Sequence, residues 1–252
     1  MEAVQPPEFI KLLANDLRWG LLKALTISDL QVNELVAQLQ QPMNLVSYHL
    51  KKMREDALVT TRRSEADGRD VYYSLDLNRL RQMYLEAGTA LHPALGLNLP
   101  DTDISRLQRQ RVLFVCTHNS ARSQMAEGLL RHLSQGSLDV LSAGSHPTTI
   151  HPDAIHTMAD LGIDIRQQQS RSLNAVAGQS FDYIITVCDK AREVCPTFPG
   201  SGTPMHWGFP DPVVIEDATE RRAIFDRTAR QLKSRIEYFL STLPILSNEK
   251  ES

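Results

Sequence analysis

The segment Cys116-Thr117-His118-Asn119-Ser120-Ala121-Arg122-Ser123 sets a thiol and a guanidinium with five residues between them, after the apolar run 112–115 and at the start of a helical pattern. A loop wrapped at a helix N-terminus aims several backbone N–H groups at one point, and the helix dipole adds partial positive charge. Both favour a tetrahedral oxyanion and a sulfur anion in the same place. Cys116 is therefore the expected nucleophile. The backbone of Thr117, His118, Asn119, Ser120 and Ala121 is expected to bind the oxyanion, with Ser123 in reach of the sulfur. Arg122 offers a planar fork to two substrate oxygens, which aligns the substrate for in-line attack. The spacing alone equally suits a buried strand-end cysteine beside a surface arginine; the strand before it and the helix after it give it weight. Oxyanion chemistry also needs a proton for the departing oxygen. Asp211, in the stiff run Phe209-Pro210-Asp211-Pro212, is the expected general acid.

The chain has three cysteines, Cys116, Cys188 and Cys195. An odd number in a sequence whose opening residues 1–9 show no basic region followed by an apolar core argues against a structural disulfide framework and for catalytic or redox use. His146, His151 and His156 recur every five residues, a spacing that shares no helical face, and Pro147 and Pro152 interrupt them. No metal site is expected there. Trp207 is expected to pack near the acid loop.

These residues need a scaffold. The run 112–115 reads as a buried strand, followed by a helix with the stripe Ala126, Leu129, Leu130 and Leu133. Further strands are expected at 140–142, 183–187 and 205–207, with helical segments around 154–161 and 191–194 between them, an alternation that favours a parallel sheet. A last helix over 218–243 carries Phe225, Ala229, Leu232, Ile236, Phe239 and Leu243, a seam fit to dock on that sheet.

The front half differs in kind. Phe9, Leu13, Leu17, Leu21 and Leu25 recur every four positions, predicting one helix over 7–26. A short helix at 32–39, a break at Gln40-Gln41-Pro42 and a second helix at 44–53 follow. Two strands at 58–63 and 71–75 flank Asp67-Gly68, a hairpin signal, and a further helix runs from 78 to 87. Pro93, Pro100 and the mostly polar run 101–110 read as a connector, giving a domain over 1–95, a linker over 96–109 and a second domain over 110–246. A net charge of −3 with 42% hydrophobic residues indicates a folded chain with no global bias to nucleic acid. No apolar run approaches the ~20 residues of a membrane helix, so a cytoplasmic protein without membrane association is expected.

The strand, the 116–123 loop and the Asp211-Pro212 acid resemble the low-molecular-weight protein tyrosine phosphatases over essentially all of 110–245. The resemblance implies an α/β fold with a four-stranded parallel sheet and helices on both faces. Within that fold, CTHNSARSQMAEG, TVCDKAREVCPTFPG, HW and FPDP more closely resemble the arsenate reductases coupled to thioredoxin or related thiols. Phosphatases of the fold usually carry a tyrosine after the Asp-Pro pair, where this chain has Val213, and do not require the Cys188 and Cys195 pair. Reduction of As(V) to As(III) takes two electrons, which thiols supply by ending as a disulfide. The resemblance implies that Cys116 attacks arsenate, that Cys188 then attacks Cys116 to release arsenite, and that Cys195 captures Cys188 for an external thiol, thioredoxin or a low-molecular-weight one. No tightly bound cofactor is implied. Two alternatives stay open. One is a phosphotyrosine phosphatase with a redox-protective cysteine pair; the other is a regulator whose rear domain only senses an oxyanion or redox state.

Over roughly 7–90, PMNLVSYHLKKMREDALV followed by RR and DVYYSL resembles the winged helix-turn-helix repressors of the arsenical-resistance family. The resemblance implies binding to double-stranded DNA, with Asn44, Ser47, Tyr48 and Lys51 against the major groove and Lys52, Arg54, Arg62 and Arg63 on phosphates. Residues 51–63 hold five basic and two acidic side chains. It also implies a homodimer through the terminal helices, formed by the 9–25 and 78–87 stripes. Several such repressors sense As(III) through two cysteines; here Gln31 and Asn33 stand in their place, and neither replaces soft sulfur.

Overall fold

The computed structural model describes residues 6–92, 95, 104–194 and 202–245. The chain divides into two units, 1–101 and 102–252.

In the first unit, α1 (Glu8–Leu13) and α2 (Asp16–Ile27) replace the single expected helix. The four-residue stripe continues across the break, which is why sequence periodicity hides it. Asn15 ends the continuity: it leaves the helical region, and its side chain accepts the Arg18 N–H at 3.0 Å as an N-cap. The Arg18 guanidinium in turn donates to the Leu12 and Lys11 carbonyls at the end of α1. Then come β1 (Leu30–Gln31), α3 (Val32–Leu39), α4 (Met43–Glu55), β2 (Val59–Arg63), β3 (Val71–Leu75) and α5 (Leu77–Leu91). The two-residue β1 is too short for any sequence pattern to mark; it pairs antiparallel with β3, giving the order β1-β3-β2. Gln40 takes a left-handed conformation (φ 52°) that closes α3 and turns the chain into α4. Phe9, Leu21, Leu25, Leu35, Leu50 and Met53 are buried in one core.

The second unit holds β4 (Arg111–Cys116), α6 (Arg122–Leu133), β5 (Asp139–Gly144), α7 (Pro152–Asp160), β6 (Tyr183–Thr186), α8 (Asp189–Val194), β7 (Thr203–His206) and α9 (Ala218–Thr242). All four strands run parallel in the order β5-β4-β6-β7. Val112 to Cys116 are buried in succession; side chains alternate between faces along a strand, so both faces of β4 are covered. The α9 seam is buried as its spacing predicts, with Phe225, Leu232, Ile236 and Phe239 against the core. Residues 104–109, read from sequence as connector, join this unit: Leu107 is buried and bridges to Ile245, and the Gln108 N–H donates to the Pro244 carbonyl.

Candidate active site and DNA-reading face

Cys116 ends β4 and Arg122 opens α6, so the loop between them lies at the carboxyl edge of the parallel sheet, where crevices form in such folds. The loop's carbonyls are taken from outside. Thr117 O accepts from His146 N, His118 O from Thr148 N, Ser120 O from His151 N, and Ala121 O from Met125 N, each at 2.9 Å. Asn119 O accepts from the Ser170 hydroxyl and the Gln124 amide. With the carbonyl ends of these peptides turned outward, their N–H ends turn inward. Among the described residues, no backbone carbonyl takes the N–H of Thr117, His118, Ser120 or Ala121. The Asn119 N–H donates to Cys116 Sγ at 3.1 Å. Asn119 itself sits at φ 46°, a left-handed position that asparagine tolerates better than most residues. Gly144 on β5 permits the close approach of the loop: a Cβ there would lie 2.6 Å from Thr117 O and 2.9 Å from Asn119 N.

A buried chain of hydrogen bonds reaches the sulfur from behind. Glu127 Oε2 accepts from Ser142 Oγ at 2.6 Å, and Ser142 Oγ accepts from Asn119 Nδ2 at 2.7 Å. Asn119 Nδ2 also donates to Ser123 Oγ at 2.9 Å, and Ser123 Oγ stands 2.9 Å from Cys116 Sγ. A carboxylate can only accept, so the Ser142 proton points at Glu127 and each following donor points one way along the chain. Ser123 is thereby left to donate its proton to sulfur, which favours the anion. Glu127 is fully buried and is gripped by Arg131, with Arg171 Nη1 at 3.6 Å from Oε2. Glu127, Ser142, Arg171 and Gly144 were not singled out from sequence. The available signal was a charged Glu127 at the border of the apolar stripe of α6.

Arg122 is buried, and its guanidinium ion-pairs with Asp211 at 2.8 Å and donates to the Phe209 carbonyl at 2.6 Å. The expected acid thus stands beside the expected oxyanion grip. Asp211 Oδ1 also accepts from Val213 N at 3.2 Å, fixing the turn. Trp207 is buried against Phe114 and Phe239, as packing. Cys188 follows β6 and is buried; its sulfur lies 3.5 Å from Thr117 Oγ1 and accepts from Ala191 N at 3.4 Å. Burial pushes the Cys188 thiol up; the Arg122 guanidinium pulls it down, and the Cys116 sulfur adds to the rise. Cys195 lies outside the described residues. His118 is exposed on the loop, His151 caps α7 by accepting from Asp153 N, and His146 Nδ1 lies 3.0 Å from Ser145 Oγ.

In the first unit, α4 buries Val46, His49, Leu50 and Met53 and leaves Asn44, Ser47, Tyr48, Lys51, Lys52 and Arg54 exposed, the face expected to meet DNA. Arg62 stacks over the Tyr72 ring at 5.3 Å, and Arg63 Nη1 donates to the Gly68 carbonyl at 3.0 Å, so both basic residues also brace the β2–β3 wing. The wing turns over 64–70, wider than Asp67-Gly68 alone, around Ser64, whose hydroxyl accepts from Ala66 N and Asp67 N. The expected dimer stripe at 9–25 requires correction in three of its five residues, Leu13 and Leu17 being only partly buried. Phe9, Leu21 and Leu25 are buried in this unit's own core and offer nothing to a second chain. In the 78–87 stripe Tyr84 is exposed, while Leu80 is partly buried and Ala87 is buried in the same core. Among the described residues no helix is long and apolar enough to cross a membrane.

Residues 111–249 match the model of the low molecular weight phosphotyrosine protein phosphatases, and residues 15–61 match that of the bacterial regulatory proteins of the arsR family. An arsenate reductase of Halalkalibacterium halodurans is 36% identical over 137 residues, covering 54% of this chain and 99% of that protein. Arsenate reductase 1 of Staphylococcus epidermidis is 37% identical over 133 residues, covering 53% of this chain and 97% of that protein. A solved arsenate reductase in its oxidised state is 30% identical with a TM-score of 0.48, over 54% of this chain and 99% of that one. With more than half of its length matched from β4 to beyond α9, and an arsR-type segment ahead of it, the chain belongs to the low molecular weight phosphotyrosine protein phosphatase family.

Proposed function

We propose that the second unit reduces arsenate to arsenite and that the first unit binds double-stranded DNA. The observation that carries the reading is Cys116 Sγ, held by Asn119 N and Ser123 Oγ under the Arg122–Asp211 pair, with a second buried thiol, Cys188, touching the same loop through Thr117. Relatives named arsenate reductase, matched over nearly their whole length, support it. Arsenate enters the cup of N–H groups from Thr117 to Ser123, and Arg122 turns from Asp211 to grip two of its oxygens. The Cys116 thiolate attacks arsenic, an As–S bond forms, and Asp211 protonates the oxygen that leaves as water. The Cys188 thiolate then attacks Cys116 Sγ. An S–S bond forms, the As–S bond breaks, and its electron pair stays on arsenic, which departs as As(III). Cys195 next attacks Cys188 and frees Cys116, and an external thiol, thioredoxin or a small one, reduces the last disulfide.

Exposed residues of α4 enter the major groove, with Lys52, Arg54, Arg62 and Arg63 on phosphates. The protein pairs through its winged-helix domain (1–95), joined by a linker to the catalytic domain, which takes in 104–109 as well as 110–246. A second reading, phosphotyrosine hydrolysis, is supported by the Cys116, Arg122 and Asp211 set, which needs no further thiol. One experiment separates the two: purified protein with arsenate and either thioredoxin or a low-molecular-weight thiol, arsenite being measured. Cys188→Ala should abolish arsenite formation and spare aryl phosphate hydrolysis. Arsenite formed at an undiminished rate by that variant would overturn the reduction mechanism.

A further inference from the structure

Asp189 and His206 form a buried pair that the steps above do not use. Their side chains are 1% and 0% exposed, and His206 Nε2 lies 3.1 Å from Asp189 Oδ1. Because a carboxylate only accepts, Nε2 carries a proton toward it. The other ring nitrogen lies 2.8 Å from Thr186 Oγ1, which donates to the Met205 carbonyl at 3.2 Å. Thr186 and His206 are register partners at the carboxyl ends of β6 and β7, and Trp207 N donates to Thr186 O. The histidine is thus fixed by two strands. What it holds is the residue joined directly to Cys188, at the first position of α8.

A buried ionisable pair is a poor stabiliser compared with apolar packing, because desolvation offsets much of the attraction. Its value here is directional. Cys188 Sγ must line up with the Cys116 sulfur, and Cys188 lies between two fixed points: the Val187 N–H, which donates to Val115 O on β4, and the Asp189 carboxylate on His206. From His206 the chain runs through Trp207 and Phe209 to Asp211, so the same anchor also starts the acid loop.

We propose that His206 and Asp189 are positioning residues for the second chemical step, holding Cys188 at the angle from which it attacks Cys116. The inference rests on the reduction mechanism above. It predicts that losing the pair slows disulfide formation and leaves oxyanion capture in place.

The test uses the full chain and four variants, Asp189→Asn, His206→Ala, His206→Gln and Thr186→Val. Arsenate is supplied without external thiol, and the Cys116–Cys188 and Cys188–Cys195 disulfides are followed together by peptide mass spectrometry in a single turnover, their sum reporting the attack of Cys188 on Cys116. Phosphate binding is measured by calorimetry. Asp189→Asn and His206→Ala should slow disulfide formation about tenfold or more, with phosphate affinity changed less than about threefold. His206→Gln, which can still offer an N–H to Asp189, should recover most of the rate. Thr186→Val removes only the hydroxyl that orients the ring, so it should show a smaller loss of the same kind and decides the matter should His206→Ala not fold. Native disulfide rates in Asp189→Asn and Thr186→Val would overturn the proposal. So would phosphate affinity falling in step with rate, or His206→Gln no better than His206→Ala. Failure of the underlying mechanism looks different: the unaltered protein then forms neither the Cys116–Cys188 nor the Cys188–Cys195 disulfide.

Discussion

Ser123→Ala removes one oxygen from the site, and its consequence can be worked from the hydrogen-bond chain. In the folded protein that oxygen stands 2.9 Å from a buried sulfur and accepts from Asn119 Nδ2, which leaves its proton for Cys116. A hydrogen bond to a charged group contributes about 1.5–3 kcal/mol, so its loss should slow any step that consumes the thiolate by about 10- to 150-fold. The cost to folding is smaller. Asn119 Nδ2 keeps Ser142 Oγ at 2.7 Å, so only about 1 kcal/mol of stability should be lost. The comparison is Ser142→Ala, which strands one acceptor site of the buried Glu127 carboxylate and one Asn119 proton; it should cost more stability, about 1–3 kcal/mol, and less rate. The assay is alkylation of Cys116 by iodoacetamide at neutral pH, mapped by mass spectrometry, beside kcat/KM for arsenate and urea unfolding. If Ser123→Ala reacts as fast as the unaltered protein, or if Ser142→Ala loses the larger share of rate, the one-way chain from Glu127 to sulfur is wrong.

Asp211→Asn should lower turnover by about 10²- to 10⁴-fold, the usual worth of a positioned general acid, yet tighten phosphate binding in calorimetry, because a carboxylate that competes for Arg122 and repels the anion is gone. Gly144→Ala should abolish phosphate binding and lower the unfolding temperature of the second unit, since the new Cβ meets backbone atoms of the loop at 2.6 and 2.9 Å. The raised Cys188 thiol gives a pH effect of known sign. Its folded form keeps a proton that an unfolded thiol has already released, so the stability it contributes is complete below the ordinary thiol range and is lost as pH climbs through that range to the folded value. Cys188→Ala should therefore flatten the alkaline decline in unfolding temperature; an unchanged slope would refute this. In the first unit, Lys52→Ala and Arg54→Ala should each weaken DNA binding across sequences and reduce the salt dependence of the affinity by about one ion, read from titrations at several salt concentrations.

The parts of the site that lie in one stretch of chain were readable from sequence. A buried strand, a loop of fixed length and an amphipathic helix occur in order between 111 and 133, so the order of those patterns by itself makes Cys116, Arg122 and Ser123 neighbours. Asp211 was legible because proline on both sides marks a stiff turn. The supporting residues were not, since Ser142, Gly144, Arg171 and His206 come from other segments and each has an ordinary explanation where it stands. Helix positions followed the apolar period well; α3 is bounded by its pattern and by the left-handed Gln40. The break between α1 and α2 was missed because hydrophobic spacing records which side chains face the core and not whether the backbone between them is continuous.

Communication between an arsenic-processing unit and a DNA-reading unit on one chain is constrained by where the sulfur lies. At the start of α3, where related repressors are implied to hold thiolates, Gln31 is the N-cap and its backbone N–H donates to Glu34 Oε2 at 2.8 Å. Hard oxygen and amide groups already engaged in closing a helix end are poor ligands for a thiophilic ion. All three cysteines of the chain lie in the second unit, at 116, 188 and 195. Arsenite released by that unit therefore meets no thiol in the first, and on the proposed mechanism the chemical states that distinguish a working protein from a resting one are those of Cys116, Cys188 and Cys195: free, arsenylated or joined. A response of DNA binding to arsenic is then expected to originate in those thiols, so arsenate, arsenite and an oxidant are the effectors to vary, and substitution of the three cysteines should abolish any response.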